Sequence, residues 1–358
     1  MEAEILKIFI PTILAFVIGI LITPLVTFHL YKYKVWKKKV SKTTIDGRAA
    51  TEFERLRSTD TRKGTETRTP RMGGIVVWGS VFLTVCLLFV GKLFFPHTLL
   101  SDLDFFSRSQ TWVPLATLAF GALVGFLNDY YDISHEGERG ISLRMRILLI
   151  TFIATAIGWW FYNKLDVVSV SVPFDGTFYL GILIVPFFVL MTMAIYASGV
   201  IDGIDGLSGG VFVSIFSAYA GVAFFQSQFD LAALSGTIAG ATLAFLWFNI
   251  PPARFWMTET GTMALTLTLS VIVFMTDTLG DGNGITLLFI IGLPLVVTVL
   301  SNILQVVWRR LYGKKLFRIA PLHHHFEAIG WPSHKVTMRY WVISVICAIS
   351  GLILAAIA

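Results

Sequence analysis

Apolar segments about as long as a membrane is thick recur along the whole chain. A helix needs about 20 apolar residues to span the hydrocarbon core of a bilayer, and such segments cover 5–31, 73–95, 112–133, 145–163, 178–198, 209–225, 230–250, 262–279, 284–308 and 337–358. Charged residues make up 14% of the chain, against roughly 25% in soluble domains. The sequence therefore predicts an all-α, polytopic integral membrane protein with about ten transmembrane helices.

The basic residues fall in alternate loops. Of the 28 Lys and Arg residues, 24 lie in 32–71, 134–146 and 309–339 or at Arg254. Because Lys and Arg accumulate in cytoplasmic loops, these segments are predicted to be cytoplasmic, with both termini outside. Residues 1–358 are predicted to form a single transmembrane domain in which 32–71 is a basic cytoplasmic loop. Such a face suits membrane lipids with anionic headgroups and phosphorylated substrates, and nucleic acid is not an expected partner.

Acidic residues gather at the predicted cytoplasmic ends of the helices. Asp129 and Asp132 lie on one helix face, Asp202 and Asp205 are three residues apart, and Glu259 precedes the eighth apolar segment. Helix capping is the ordinary role of any one such residue. Three acidic loops on one side of an apolar protein favour instead a site for Mg²⁺ and a diphosphate, because Mg²⁺ binds one or two carboxylates and shares phosphate oxygens.

Three consecutive histidines, His323, His324 and His325, lie in a predicted loop before the last apolar segment. On irregular backbone their rings can point in different directions, and they can bind an anion, transfer a proton or ligate a metal. A solvated loop with an accidental cluster is the alternative. The acidic loops on the same side favour a functional role.

Five blocks of sequence stand between about residues 65 and 350. They are Thr69-Pro70-x-Met72-Gly73-Gly74, Asn128-Asp129-Tyr130, Asp202-Gly203-Ile204-Asp205-Gly206-Leu207, Phe245-Leu246-Trp247-Phe248-Asn249, and Ala320-Pro321-Leu322-His323-His324-His325-Phe326-Glu327 with Gly330-Trp331-Pro332. Together they resemble the phospho-N-acetylmuramoyl-pentapeptide transferases of the polyprenyl-phosphate N-acetylhexosamine-1-phosphate transferase superfamily. The histidine block points to this family rather than to relatives that transfer N-acetylglucosamine phosphate.

The resemblance implies a ten-helix enzyme of the bacterial inner membrane, often a homodimer, with its active site on the cytoplasmic face. It implies Mg²⁺-dependent transfer of phospho-MurNAc-pentapeptide from UDP-MurNAc-pentapeptide to undecaprenyl phosphate, which gives lipid I and UMP. Two alternatives stay open: a related transferase for another UDP-amino sugar, and a catalytically silent homologue that binds prenyl phosphate. A transporter is disfavoured because the acids lie in loops and not at mid-membrane.

The family pattern also implies roles for individual residues. Those expected at the reaction centre are Asn128, Asp129, Asp202, Asp205, His323, His324 and His325. Those expected to bind substrate are Arg71, Arg139, Gly199, Asn249 and Trp256. Trp256 is expected to stack on uracil, and Glu259 to bind Mg²⁺. Gly292 and Pro294 are expected to bend the ninth segment and open a groove for the prenyl chain.

The chain departs from the family pattern within these blocks. Asn128 stands where the family has a second aspartate, and Gly199 stands where it has an asparagine. The family sequence Met-Gly-Asp-x-Gly-Ser aligns with Met257-Thr258-Glu259-Thr260-Gly261-Thr262, which puts Glu259 at the metal-binding aspartate. If the missing carboxylate at position 128 limits the reaction, Asn128→Asp accelerates transfer. If the site is remodelled around the amide, repulsion from Asp129 slows it; from the sequence we expect the gain.

Overall fold

The computed structural model describes residues 2–36, 68–134, 140–172, 176–279 and 282–357. Most of the predicted basic loop at 32–71, and the predicted substrate-binding residue Arg139, lie outside the described residues.

Helices make up most of the described chain. They are α1 (Glu2–Lys32), α2 (Gly74–Phe94), α3 (Leu99–Asp102), α4 (Trp112–Ser134), α5 (Leu143–Leu165), α6 (Ile184–Ala197), α7 (Leu207–Phe225), α8 (Phe229–Asn249), α9 (Thr258–Thr278), α10 (Gly284–Ile291), α11 (Leu293–Tyr312), α12 (Leu322–Ala328) and α13 (Ser333–Ile357). Short 3₁₀ turns flank α6 at Gly181–Leu183 and Ser198–Ile201. Within the described ranges, 9 helices are long and apolar enough to cross a membrane, or up to 10 if the bent pair α10–α11 counts as one span. The predicted all-α polytopic class is confirmed.

Helices α10 and α11 are separated by a sharp bend. They meet at Gly292 with an angle of 76° between them. A Cβ at Gly292 would lie 2.8 Å from the carbonyl oxygen of Leu288, so the break requires a glycine. Pro294 follows at the start of α11, where its missing N–H leaves no bond unmade. The predicted bend in the ninth segment is therefore confirmed.

A β-hairpin between α5 and α6 was not predicted. Its strands β1 (Ser169–Val172) and β2 (Gly176–Tyr179) pair antiparallel. Asp277, near the end of α9, accepts hydrogen bonds from the backbone N–H groups of Ser171 at 2.9 Å and Ile285 at 3.0 Å. The buried carboxylate thus joins the hairpin and the start of α10 to the central helix. A strand of four residues is too short for its alternation to stand out in the sequence.

The bundle has an inner and an outer set of helices. In α7, α8 and α9, between 78% and 89% of the residues in the apolar 18-residue stretch of each helix are buried. In α1, α5 and α13 the buried share is only 17% to 28%. The outer helices therefore present apolar side chains to lipid, and α9 is the central column. Its N-terminal end carries the predicted metal-binding residue.

Glycines bring α4 against α9. A Cβ at Gly125 would lie 2.1 Å from the carbonyl oxygen of Glu259, and one at Gly121 would lie 2.8 Å from that of Met263. The two backbones are therefore in contact, which no side chain at either position would allow. One turn after Gly125, this close packing places Asp129 beside the first turn of α9.

The described parts of the predicted site loops lie at one end of the bundle. There the hydroxyl of Tyr31, near the end of α1, donates to the carbonyl of Arg254 at 3.1 Å, and Ser333, the first residue of α13, donates to Glu327. At about 1.5 Å per residue, α1 with 31 residues and α13 with 25 cross the whole bundle. The first turn of α1 and the last turn of α13 therefore lie at the face opposite the site.

Candidate active site at one end of the bundle

Asp129 is the most deeply buried acid of the site. Its Oδ2 accepts three hydrogen bonds from the first turn of α9: from the Thr258 hydroxyl at 2.5 Å, the Thr260 hydroxyl at 2.6 Å and the Thr260 N–H at 2.8 Å. The side chain is fully buried. A negative group at a helix N-terminus is favoured by the unpaired N–H groups and the dipole, so Asp129 is held as a capping carboxylate.

Arg71 and Asn128 contact the other side of Asp129. The guanidinium of Arg71 lies 3.8 Å from Asp129 Oδ1 and 3.3 Å from Asp132 Oδ2. The Asn128 amide donates to Asp129 Oδ1 at 3.4 Å, and its oxygen accepts from the N–H of Ile141 at 3.1 Å. Asn128 therefore holds the segment after α4 beside Asp129. An aspartate at this position would add a negative charge next to Asp129.

Asp202 is tied to the same helix end. Its Oδ2 accepts from the N–H of Thr258 at 2.8 Å, and its Oδ1 accepts from the Ser208 hydroxyl at 2.7 Å. Burial raises the pKa of this carboxyl above its ordinary value, and the nearby charge of Asp129 acts in the same direction. The hydrogen bonds and Arg71 oppose that shift, because they favour the ionised form.

Asp205 fixes the predicted aromatic residue. Its Oδ1 accepts from the indole N–H of Trp256 at 3.1 Å, and its Oδ2 accepts from the N–H of Ala253 at 3.2 Å. The backbone of Trp256 is held too, since Gly73 donates to its carbonyl at 2.7 Å and its N–H donates to Pro70 at 2.9 Å. The half-buried Trp256 ring is therefore held in place at its polar edge.

Asn249 uses both ends of its amide within the protein. Its oxygen accepts from the N–H of Gly206 at 2.9 Å, and its nitrogen donates to the carbonyl of Phe255 at 2.8 Å. The residue is 1% exposed. It therefore holds the Asp-Gly-Ile-Asp-Gly turn against the segment before α9, and these contacts support a positioning role for this predicted substrate-binding residue.

Glu259 pairs with an arginine that the family pattern did not single out. Its Oε1 lies 2.5 Å from a guanidinium nitrogen of Arg146 near the start of α5. Each side chain keeps about a quarter of its surface exposed, 28% for Glu259 and 21% for Arg146. The pair joins α5 to α9 across the site and stands next to the Asp129 cap.

The three histidines lie on a short helix, α12, and not on the irregular loop expected from sequence. The rings of His323 and His324 lie together, with centroids 4.4 Å apart, and a Cβ built at Gly203 would lie 2.7 Å from Nε2 of both. His324 also contacts Glu327 through Nδ1 at 2.7 Å. His325 turns away, accepting from the Arg318 N–H at 3.2 Å. Two of the three histidines therefore face the Asp202 turn.

His323 is the least satisfied polar side chain of the site. It is fully buried, and neither ring nitrogen has a hydrogen-bond partner among the described residues. Burial, and to a smaller degree the neighbouring His324, keep the pKa of its imidazole well below the ordinary value. The ring is therefore neutral at neutral pH, with one donor and one acceptor available.

Gly199 lies against the second turn of α9. A Cβ at this position would lie 3.3 Å from Cβ of Thr262, which is tighter than ordinary van der Waals contact. Thr262 stands where the family pattern has the smaller serine, and its hydroxyl donates back to the carbonyl of Thr258 at 3.1 Å. Thr262 thus occupies part of the space that an asparagine side chain at position 199 would need.

The site residues carry more negative than positive charge. Asp129, Asp132, Asp202 and Glu259 face the two guanidinium groups of Arg71 and Arg146. No group of three or more His, Cys, Asp or Glu side chains in the described ranges is gathered to hold a metal ion. Mg²⁺, however, commonly binds through one or two carboxylates with waters and phosphate oxygens. Glu259 and the excess negative charge fit that mode.

Sequence reasoning missed several residues that build this site. Arg146 was counted only as a basic loop residue, and Thr258, Thr260 and Ser208 carry hydroxyls that bind the acids. The contacts of Arg146, Thr258 and Thr260 join segments more than 100 residues apart, so the spacing of these residues does not predict them. Ser208 is only six residues from Asp202.

Comparison with known proteins assigns this fold and site to a class: membrane-embedded transferases of phosphorylated sugars. The sequence profile of glycosyl transferase family 4 matches residues 111–277, which contain most of the acidic site. The phospho-N-acetylmuramoyl-pentapeptide-transferase of Anoxybacillus flavithermus is 32% identical over 287 residues, 79% of this chain and 83% of the relative. That of Bacillus pumilus is 31% identical over 289 residues, with the same shares covered. The chain belongs to the phospho-N-acetylmuramoyl-pentapeptide-transferase family.

Proposed function

We propose that the protein transfers phospho-MurNAc-pentapeptide from UDP-MurNAc-pentapeptide to undecaprenyl phosphate, with Mg²⁺, giving lipid I and UMP. The observation that carries this proposal is a set of buried polar atoms left unpaired at the acidic site. Among the described residues, Nε of Arg71, Nε of Arg146 and both ring nitrogens of His323 have no partner. Buried polar groups are nearly always paired, so these atoms are the contacts expected for a phosphorylated substrate.

The reaction needs little covalent chemistry from the protein. An oxygen of the lipid phosphate attacks the phosphorus attached to the sugar, the bond from that phosphorus to the bridging oxygen breaks, and UMP leaves. Catalysis of such a step is mainly positioning and electrostatic stabilisation. A phosphate monoester with a second pKa near 6 is largely ionised at neutral pH, so the acceptor does not require a base at Asn128.

The charged residues supply the positioning. Arg71 and Arg146 bind phosphate oxygens through their unpaired N–H groups, and each is already oriented by a carboxylate. Mg²⁺ held through Glu259 would offset charge on the diphosphate when bound. Asp202 and Asp205 orient the nucleotide-sugar, and the Trp256 ring, anchored by its indole N–H, stacks on uracil. Neutral His323 binds the substrate without adding charge.

The bent span offers a path for the lipid. After the bend, α11 exposes large apolar side chains, among them Leu300, Ile303, Leu304, Val307 and Leu311. The same helix carries Gln305, whose amide bonds the backbone of Leu316 and Phe317 just before α12. A prenyl chain lying along α11 would thus lead its phosphate toward the histidine helix. A second copy of the chain remains an expected partner.

One assay tests the proposed function. The purified protein in detergent is given undecaprenyl phosphate and either UDP-MurNAc-pentapeptide or UDP-N-acetylglucosamine, with and without Mg²⁺, and lipid product and UMP are measured. We expect Mg²⁺-dependent lipid I from the first donor only. Product from the second donor alone would assign a different UDP-amino sugar, and no product from either, with prenyl phosphate still bound, would assign a silent homologue.

A labelling experiment tests the proposed cytoplasmic face in the bacterial inner membrane. With Cys86 and Cys347 replaced by alanine, the variant Lys315→Cys adds a thiol near the histidine helix, and Asn163→Cys adds one at the opposite end. Both positions are exposed. We expect a membrane-impermeant maleimide added to intact cells to label only the second. Labelling of the first would reverse the orientation and contradict a cytoplasmic site.

A further inference from the structure

Thr258 has a backbone conformation that threonine rarely adopts. Its φ is 54°, in the left-handed region where a β-branched residue is strained. The aligned family sequence has glycine at this position, which explains why the backbone has this shape. The threonine must therefore be retained by contacts that offset its strain.

Those contacts join three separate parts of the chain. The Thr258 N–H donates to Asp202 Oδ2 at 2.8 Å, its hydroxyl donates to Asp129 Oδ2 at 2.5 Å, and the N–H of Met72 donates to the same hydroxyl at 3.1 Å. The Met257 carbonyl lies 2.8 Å from the hydroxyl as well. A hydroxyl has one proton to donate, and the shorter distance to a charged acceptor favours Asp129.

The bond to Asp129 has a consequence for the site. With Oδ2 taken by the hydroxyls and N–H of α9, Oδ1 is the oxygen that faces Arg71 and the Asn128 amide. A glycine would keep the N–H bond to Asp202 but would lose the hydroxyl. Of the three hydrogen bonds to Oδ2, only the two from Thr260 would then remain.

We propose that Thr258 is a positioning residue for the transfer reaction: its hydroxyl holds the Asp129 carboxylate so that Oδ1 faces Arg71, while its N–H holds Asp202. The proposal rests on the proposed function. It makes Thr258 an addition of this chain to the family site, since the aligned glycine has no hydroxyl to contribute.

Three variants separate positioning from strain. Thr258→Val keeps the shape and removes the hydroxyl, Thr258→Ser keeps the hydroxyl, and Thr258→Gly removes both hydroxyl and strain. We expect kcat to fall about tenfold in the valine variant, since small misplacements of reacting groups slow catalysis strongly, with KM for the nucleotide-sugar changed less. The serine variant should recover most of kcat. The glycine variant should have a higher Tm than the valine variant, because the backbone strain is relieved. Its kcat should nevertheless be as low as that of the valine variant.

The glycine variant gives the decisive outcome. If it matches or exceeds wild-type kcat, the hydroxyl has only a structural role and the proposal falls. A second measurement does not depend on turnover: the Tm losses of Thr258→Val and Asp129→Asn should fail to add in the double variant, because the two side chains share one bond. Additive losses would overturn the bond itself. A wild-type protein that makes no lipid I would overturn the proposed function instead, with the Tm cycle unaffected.

Discussion

Glu259→Gln is expected to lower the rate of lipid I formation by roughly 10²–10³-fold, the range seen when a single electrostatic group is removed from an active site. The glutamine keeps nearly the volume of the side chain and removes its charge. Arg146, which lies 2.5 Å from Oε1, then loses its ionic partner, and Mg²⁺ loses the carboxylate proposed to bind it. The measurement is kcat as a function of Mg²⁺ concentration.

Two control variants define what the loss means. Glu259→Asp keeps the charge and restores the residue of the family pattern, so most of the rate should be retained. Asp277→Asn removes a buried carboxylate at the other end of the same helix, where it binds the hairpin and α10. That variant should lower Tm but leave turnover per folded molecule unchanged. Undiminished Mg²⁺-dependent turnover in Glu259→Gln would remove Glu259 from the metal-binding role.

The membrane architecture could be predicted because its signal is local. Each span is a run of about 20 apolar residues, and the Gly292 and Pro294 pair marked the bend before α11. The hairpin at 169–179 and the helix at Leu322–Ala328 could not be predicted in the same way. The strands are shorter than a normal strand and the helix is shorter than two turns. Both are held by contacts from elsewhere in the chain, such as Asp277 with Ser171 and Ser301 with Leu322.

The sequence predicted which segments meet at the candidate site, but not the contacts within it. The acidic loops placed Asp129, Asp202 and Glu259 on one side of the protein, and the structure joins them through the first turn of α9 and Arg146. The blocks could not tell that His325 faces away from its two neighbours. The direction of a side chain depends on the helix that carries it, and that helix was not apparent from sequence.

Asn128→Asp is expected to slow transfer, the opposite of the gain that the family pattern suggests. The amide nitrogen of Asn128 donates to Asp129 Oδ1 at 3.4 Å, and in the variant an oxygen takes its place. Two carboxylates at that separation repel by on the order of 5 kcal/mol at an effective dielectric constant of 20. The repulsion would move Asp129 away from Arg71, and a shift of about 1 Å in a positioned group can slow a reaction roughly 10²-fold.

The pH dependence of the transfer rate distinguishes the expected loss in Asn128→Asp from the gain that the family pattern suggests. At low pH the introduced carboxyl group is protonated, since two adjacent acids do not both ionise readily, and it donates to Asp129 much as the amide does. The ratio of variant to wild-type rate should therefore approach one at low pH and fall as the pH rises. Asn128→Ala, which removes the donor without adding charge, should give a smaller loss whose ratio does not change with pH. A ratio for Asn128→Asp that rises with pH would mean that the missing aspartate is a deficit and that the added carboxylate acts in the reaction.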